Sequence, residues 1–346
     1  MTAMQASNGL SGRDGRNSPR LAAMTELSQD AIETRDLIRR VAAERVAPRA
    51  AEIDRTGEYP QDMFDLLREL GVFTLPFPEA YGGRDSLLAA CVATEELGRV
   101  CYNTGYLLVV QWTPFGAIMA AGSPAQRDRY LPGLASGDLR AAFSLTEPQS
   151  GSDVAGITTR ARKVAGGYRI TGAKIWCTNA LVSDFIVLAA RTGDARGEIN
   201  FFIVPTDADG LEIGQKEDKL GARGVPSSPL FLEDVFVADD AMLGQERQGF
   251  RQVMEALALS RPIVGARAVG LAQGALDHAL AFMRERNAFG QPLTDFQGLR
   301  WMLADMAMQI EAARGLVYKA ARMTDAGARG KELAQAAAIA KAFASD

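Results

Sequence analysis

The hydrophobic periodicity of this chain changes twice, and that change constrains its fold more than any other feature. From about Leu27 to Leu139, apolar residues recur at spacings of three and four, the spacing of an amphipathic helix. From about Ala141 to Val237, short apolar runs lie between turn residues, which is typical of strands. After Gly249 the helical spacing returns. The order predicts an α+β fold with an N-terminal helical bundle, a middle antiparallel β-barrel or sandwich domain, and a C-terminal helical bundle.

The same pattern predicts the domain limits. We expect an N-terminal helical domain over residues 24–139, a middle β domain over 140–248 and a C-terminal helical domain over 249–346. Within the first of these, Pro60, the turn at residues 78–83, Pro114 and Pro132 are expected to separate one helix from the next.

The first 23 residues have a different composition from the rest. They are rich in Ser, Gly, Asn and Arg and show no helical period. We interpret residues 1–23 as a disordered tail, with either Met1 or Met24 as the true start. An organelle transit peptide is the alternative, because such peptides are also rich in Arg and Ser and poor in acidic residues. The absence of an amphipathic face favours the tail.

Composition excludes several classes of function. The net charge is -4 and no Lys/Arg-dense helix appears, so we expect no nucleic-acid partner. No uninterrupted apolar stretch approaches the about 18 residues that a membrane span needs. The three cysteines lack the spacing of metal ligands and there is one histidine, so we expect no metal site. Frequent Arg, Ala and Gly are typical of a bacterial source, and we expect a cytoplasmic protein.

Two neighbouring segments combine small residues, hydroxyls and one large ring. Residues 143–156 read FSLTEPQSGSDVAG, and residues 174–179 read KIWCTN. A Gly-Ser-Asp turn lets backbone N–H groups approach an anionic, planar ligand. In an extended segment, positions two apart face the same side, so Trp176 and Thr178 are expected to present a flat ring and a hydroxyl together. A third segment, RNAFGQPLTDFQ, lies at residues 286–297.

These three segments, in this order, resemble the motifs of acyl-CoA dehydrogenases. The resemblance covers nearly everything from about residue 27 onward. It implies an FAD-dependent oxidoreductase that removes hydrogens from the α and β carbons of an acyl-CoA thioester and passes the electrons to an electron-transfer flavoprotein. It also implies a role in fatty acid β-oxidation and an active homotetramer or heterotetramer. The length and branching of the acyl chain stay open.

The resemblance also assigns roles to individual residues. Contacts to the flavin ring are implied for Phe143, Leu145, Thr146, Gly151, Ser152, Trp176, Cys177 and Thr178, with the two threonines as hydroxyl donors. Contacts to the FAD of an adjacent subunit are implied for Arg286, Phe289 and Gln297. Ser152 and Arg261 match residues that lie by the acyl-CoA. Within the segment KIWCTN, alternation is expected to point the Cys177 thiol away from the flavin.

The catalytic base of the family has no counterpart in residues 1–346. Most members have their glutamate in a loop that follows the segment where this sequence stops, so the C-terminal helical bundle is interpreted as incomplete. A second class has a glutamate one position before Arg261, where this chain has Ser260. Glu147 is a poor candidate, because the family keeps a glutamate there in addition to its base. Ala258 and Val225 also depart from the family pattern.

Three hypotheses follow from this departure. The favoured one is an acyl-CoA dehydrogenase whose sequence is truncated. The alternative is a non-catalytic subunit, or a fragment without the base, that contributes flavin contacts to a heteromeric acyl-CoA dehydrogenase. A flavin enzyme of the same fold that uses oxygen, and can dispense with the base, is a weaker third.

Overall fold

The computed structural model describes residues 27–346. The expectations for the tail over residues 1–23 and for the start residue therefore lie outside the described residues.

The N-terminal part is helical and is held by side-chain caps. Its helices are α1 (Gln29–Val41), α2 (Ala47–Thr56), α3 (Gln61–Glu69), α4 (Leu87–Val100), α5 (Tyr102–Ala121) and α6 (Pro124–Ser136). Ser123 and Gln126 form a reciprocal capping box at the start of α6. Pro114 lies inside α5 and Pro132 inside α6, so the expectation that they separate helices was wrong. Burial of α5 on nearly all sides outweighs the loss of a single backbone donor.

The middle part is a single sheet that encloses its own core. Its strands are β1 (Ala141–Ser144), β2 (Arg160–Val164), β3 (Gly167–Thr178), β4 (Phe185–Arg191), β5 (Ile199–Pro205), β6 (Leu211–Ile213), β7 (Ser227–Ala238) and β8 (Met242–Leu243). The order is β6-β7-β3-β2-β4-β5-β8, with β1 also paired to β4. Most pairs are antiparallel, as predicted, whereas β1 and β2 each run parallel to β4.

Alternation along β4 divides the interior into two cores. Phe185, Val187 and Ala189 belong to the large core shared with the helices, while Ile186 and Leu188 belong to a second core inside the β domain. Successive side chains of a strand point to opposite faces, so one buried strand serves both cores. This is why β4 reads as a continuous apolar run.

The C-terminal part is again helical and packs against the N-terminal helices. It consists of α7 (Gly249–Glu285), the hairpin strands β9 (Asn287–Ala288) and β10 (Gln291–Pro292), α8 (Gln297–Asp325) and α9 (Gly330–Ser345). The Asp325 carboxylate at the end of α8 accepts the backbone N–H groups of Leu87 and Leu88, at 2.7 and 3.0 Å. These are orphan donors of the first turn of α4. The predicted order of helical, β and helical domains is confirmed, and the exact domain limits stay a prediction.

Candidate functional site

Trp176 lies at a β-bulge and points outward. Strand β3 pairs with β7 through Lys174 with Leu230 and Cys177 with Ser228, so β3 has one extra residue between these pairs. The φ angle of Trp176 is +57°, in the left-handed region that bulky residues seldom adopt. The indole is 55% exposed. An exposed ring on a strained backbone is typical of a surface that receives a ligand.

Two hydroxyls flank this ring. The backbone N–H of Ile175 donates to the Thr146 carbonyl at 3.0 Å, which holds residues 143–150 beside β3. Among the described residues, the Thr146 hydroxyl makes no hydrogen bond. The Thr178 hydroxyl lies 2.9 Å from the Ser227 hydroxyl. If Ser227 donates, the Thr178 hydroxyl donates its proton to the Trp176 carbonyl, 3.5 Å away, or to a ligand that takes the place of that carbonyl.

The turn at residues 151–153 closes one side of this surface. Gly151, Ser152 and Asp153 are all exposed. The Ser150 hydroxyl donates to the Asp153 carbonyl, and Asp153 pairs with Arg196. The turn is therefore fixed from inside, and within the described residues the backbone N–H groups of 151–153 make no hydrogen bond, which leaves them available to an acceptor.

Glu147 and Lys174 form a buried ion pair beneath the site. Lys174 Nζ lies 2.8 Å from Glu147 Oε1 and donates to the Leu145 carbonyl at 3.0 Å. The backbone N–H groups of Thr158 and Thr159 donate to the same carboxylate, at 2.6 and 3.0 Å. Burial raises the pKa of Glu147, but Lys174 and these hydrogen bonds outweigh burial and lower the pKa to about 2. A carboxylate with its lone pairs engaged is a poor general base, so Glu147 has a structural role here.

Three of the residues assigned to the flavin contribute from beneath the surface. The Phe143 ring stacks on Phe201, with centroids 5.3 Å apart, and Leu145 is half-buried. The Cys177 thiol lies in the second core, and burial raises its pKa to about 12. Any contact of Cys177 with a flavin is therefore through its backbone.

The residues assigned to the partner's FAD lie in another region, around the β9–β10 hairpin. Arg286 follows the last turn of α7, and Gln297 begins α8; both are exposed. Phe289, at the tip of the hairpin, is 97% exposed with a φ angle of +49°. A ring this exposed is typical of an interaction surface when other exposed apolar residues adjoin it.

The residues assigned to the acyl-CoA lie on two elements. Ser152 is in the exposed turn, and Arg261 is partly exposed on α7. Ser260, the position of the alternative base, is buried, and its hydroxyl donates to the Leu257 carbonyl at 3.3 Å. Val225 is fully buried, which explains why an apolar residue is stable at that position.

Sequence reasoning missed three features of this site. The bulge at Trp176 and the contact between Thr178 and Ser227 arise from the pairing of β3 with β7, for which the sequence offered no signal. Lys174 and Glu147 were both inside the motif segments. Two opposite charges among otherwise small and apolar residues were the one signal for a buried pair.

The arrangement fits an FAD ring. Trp176 supplies a flat apolar face, Thr146 and Thr178 supply hydroxyl donors, and the turn at residues 151–153 supplies backbone N–H groups. Neither a helix capable of crossing a membrane nor a group of side chains suited to a metal ion occurs within residues 27–346.

Comparison with known proteins agrees with this geometry. Three family models match: acyl-CoA dehydrogenase, N-terminal domain, over residues 28–138; its middle domain, over 142–235; and its C-terminal domain, over 247–346. Together they show that the chain belongs to the acyl-CoA dehydrogenase family. It is accordingly an FAD-dependent oxidoreductase of acyl-CoA thioesters.

The similar proteins include named acyl-CoA dehydrogenases. Cyclohexane-1-carbonyl-CoA dehydrogenase of Geobacter metallireducens is 39% identical over 93% of this chain and 85% of its own length. Butyryl-CoA dehydrogenase from Megasphaera elsdenii is similar in structure, with a TM-score of 0.88 at 35% identity, over 92% of this chain and 85% of that one. A chain in a structure described as the electron transferring flavoprotein of Acidaminococcus fermentans has the same TM-score, 0.88, at 36% identity, over 92% of this chain and 84% of that one.

Proposed function

We propose that this chain binds the flavin ring of FAD against Trp176 and dehydrogenates an acyl-CoA thioester beside it. The observation that carries the proposal is the outward Trp176, held at a bulge next to the Thr178 hydroxyl. A structural tryptophan would be buried in one of the two cores. The Glu147–Lys174 pair fixes the strand and the loop whose hydroxyls flank the ring.

We assign roles to the surrounding residues from the hydrogen-bond donors that they carry. Thr146 and Thr178 donate hydrogen bonds to heteroatoms of the flavin ring, and Ser227 orients the Thr178 hydroxyl. Gly151 and Ser152 offer backbone N–H groups. FAD, when bound, would accept the hydride from the β carbon, and the α proton would pass to a carboxylate that neither Glu147 nor Ser260 supplies. Donors aimed at the ring favour the charge that develops on it.

The complete site belongs to an oligomer, for which we propose a tetramer. Arg286, Phe289 and Gln297 reach the FAD of a second subunit, with Arg286 neutralising a phosphate. Support comes from the exposed apolar residues that continue from this hairpin along α8, namely Trp301 and Met302, 62% and 55% exposed. Such a surface is typical of a subunit interface.

Ser152 and Arg261 contact the thioester ligand in this proposal. The electrons pass to an electron-transfer flavoprotein, and the reaction is the first oxidation in the breakdown of an acyl-CoA, as in fatty acid β-oxidation. We place the protein in the cytoplasm. The named relatives act on both a cyclic and a straight-chain thioester.

A non-catalytic subunit that contributes flavin contacts to a partner chain is the second candidate. It is favoured by one observation, that neither Glu147 nor Ser260 offers a free carboxylate to remove an α proton. The two candidates differ in reactivity, because both bind FAD and acyl-CoA.

The test uses the full chain with FAD under anaerobic conditions. If this chain itself supplies an acceptor for the α proton, butyryl-CoA or cyclohexane-1-carbonyl-CoA will bleach the visible absorbance of bound flavin. Thioester binding measured by calorimetry without any bleaching would establish the second candidate. A folded chain that retains no FAD on gel filtration, as a single subunit or as an oligomer, would contradict both.

A further inference from the structure

Within residues 27–346, one buried cation has no ion-pair partner among the described side chains. Charged side chains at most 8% exposed in the described part of the chain are Glu95, Glu96, Glu147, Lys174 and Arg267. Glu95 pairs with an arginine of α8, Glu96 with an arginine of α1, and Glu147 with Lys174. Arg267, on α7, is 8% exposed, and its Nε and Nη1 atoms are buried without a hydrogen-bond partner.

The surroundings of Arg267 are aromatic and positive. The guanidinium carbon lies 3.7 Å from the centre of the Tyr106 ring and 4.4 Å from that of Tyr102. The nearby charged group is a second cation, Lys219, whose ammonium donates to the Val225 carbonyl. Burial and the charge of Arg267 lower the pKa of Lys219. Two cations close to each other create a positive potential that favours an anion.

The energetics also indicate a missing anion. A guanidinium cannot lose its proton in a protein, so Arg267 stays charged when buried. Stacking of a desolvated cation on an aromatic ring stabilises that cation by about 2 kcal/mol. Burying an unpaired ion costs several kcal/mol, more than the stacking offsets. A bound carboxylate would satisfy the free N–H groups in a bidentate arrangement.

The packing of two helices locates Arg267 relative to the proposed substrate site. Gly116 on α5 lies against Ala256 on α7, because a Cβ at Gly116 would be 3.4 Å from the Ala256 carbonyl oxygen. At a second contact between the same helices, the Arg267 guanidinium on α7 packs on the Tyr106 ring on α5. Moving ten residues back along α5 therefore corresponds to moving eleven forward along α7. The two helices run antiparallel past each other.

Partly exposed residues continue along the contact between these two helices. On α7 they are Arg261, Val264 and Ala268, at spacings of three and four. The partly exposed Tyr106 and Thr113 lie on the facing helix α5. Arg261 and Arg267 are six residues apart, or about 9 Å along the helix. The proposed thioester contact and the unpaired cation are thus one short acyl chain apart along α7.

We propose that Arg267 binds a carboxylate at the far end of the acyl chain, so that the substrates are ω-carboxyacyl-CoA thioesters. The assignment rests on the proposed function, since it takes Arg261 as the thioester end. Tyr102 and Tyr106 hold the guanidinium plane, and Lys219 adds positive potential. Arg267 acts as a specificity-determining residue, because it contacts the distal end of the substrate and not the reacting carbons.

The test compares two thioesters of equal length on the full, FAD-loaded chain. Calorimetry measures the Kd of glutaryl-CoA and of pentanoyl-CoA, which differ by the terminal carboxylate. We expect glutaryl-CoA to bind at least about tenfold more tightly, the ratio that about 1.4 kcal/mol gives. Arg267→Met should remove this preference and leave the Kd of pentanoyl-CoA within a few-fold. Arg267→Lys should restore part of it, because the charge stays and the fork is lost.

A matched control and the wild-type chain keep the test decisive. Arg284→Met removes an exposed arginine of the same helix and should leave the preference intact. Equal binding of the two thioesters by the wild-type chain would overturn the inference and leave the proposed function standing. A preference that persists in Arg267→Met would overturn it too. Binding of neither thioester would refute the proposed function, and the inference with it. If Arg267→Met does not fold, the wild-type ratio alone decides.

Discussion

Lys174 and Glu147 form an ion pair with charged atoms 2.8 Å apart, and both side chains are buried under the surface that carries Trp176. The pair ties the loop at residues 143–150 to strand β3. Hydrogen bonds from Thr158 and Thr159 attach the next strand to the same carboxylate. The loop at residues 143–150 and strand β3 are therefore fixed to each other, and together they form one rigid surface under Trp176.

Removing one partner of this pair should be costly. We expect Lys174→Met to lower the free energy of unfolding by about 3 to 5 kcal/mol, because it leaves Glu147 as an unpaired buried charge. The measurement is urea denaturation followed by tryptophan fluorescence. Lys163→Met is the control. Lys163 lies on the neighbouring strand β2, is exposed and pairs with Asp239, so its loss should cost less than about 1 kcal/mol. Equal losses in the two variants would contradict the prediction.

Acid should weaken the fold through Glu147. Its pKa is lowered to about 2 in the folded chain, whereas an unfolded glutamate titrates near about 4.3. Between these values the unfolded chain binds more protons, so the free energy of unfolding falls as pH falls through this window. Urea midpoints measured across that window should drop less steeply in Glu147→Gln than in the wild type. Identical slopes would show that other carboxylates govern acid stability.

Trp176 should matter for FAD and little for folding. We expect Trp176→Leu to weaken FAD binding by about 1 kcal/mol, the scale of ring stacking beyond area burial. Thermal stability without FAD should stay nearly unchanged, because the indole is 55% exposed. Phe236→Leu, at an exposed ring elsewhere on the sheet, serves as the control for surface aromatics. Loss of stability without loss of FAD affinity would reverse the assignment.

Arg286 should bind FAD across a subunit interface. In an assembly that retains flavin, Arg286→Ala is expected to cost about 1.5 to 3 kcal/mol in FAD binding, the range for hydrogen bonds to charged groups. Arg286→Lys should recover only part, since the bidentate fork is lost. The exposed Arg284, mutated to Ala, should have no effect. Unchanged FAD affinity in both Arg286 variants would make it an ordinary solvated charge.

Asp325 should stabilise the contact between the two helical regions. Its carboxylate caps α4 from 238 and 237 residues away, through Leu87 and Leu88. We expect Asp325→Ala to cost about 0.5 to 2 kcal/mol, the range for loss of an N-cap. Melting temperature is the readout. Asp295→Ala breaks only an exposed pair with Arg300 and should shift it much less.

The sequence by itself determined the order of the domains and the class of site. Periodicity of 3.6 or 2 reflects which side chains face a core, and that information is local to each segment. It predicted the helical, β and helical order, which the structure confirms. The three motifs that contain Trp176, Thr178 and Arg286 were equally readable, because each is a short, continuous run of residues. The proline rule failed at Pro114, because burial of α5 was not visible in its own sequence.

The tertiary structure decided everything that depends on a second segment. Strict alternation would place Lys174 on the same side as Trp176; pairing with β7 inserts the bulge that buries one and exposes the other. Glu147 was excluded as a base by its contacts with Lys174 and the following strand. Arg267 is buried on α7 because α5 packs its two tyrosines, Tyr102 and Tyr106, against the guanidinium. Each of these outcomes is set by long-range packing, where burial and the position of a partner, and not the residue type, determine what a charge does.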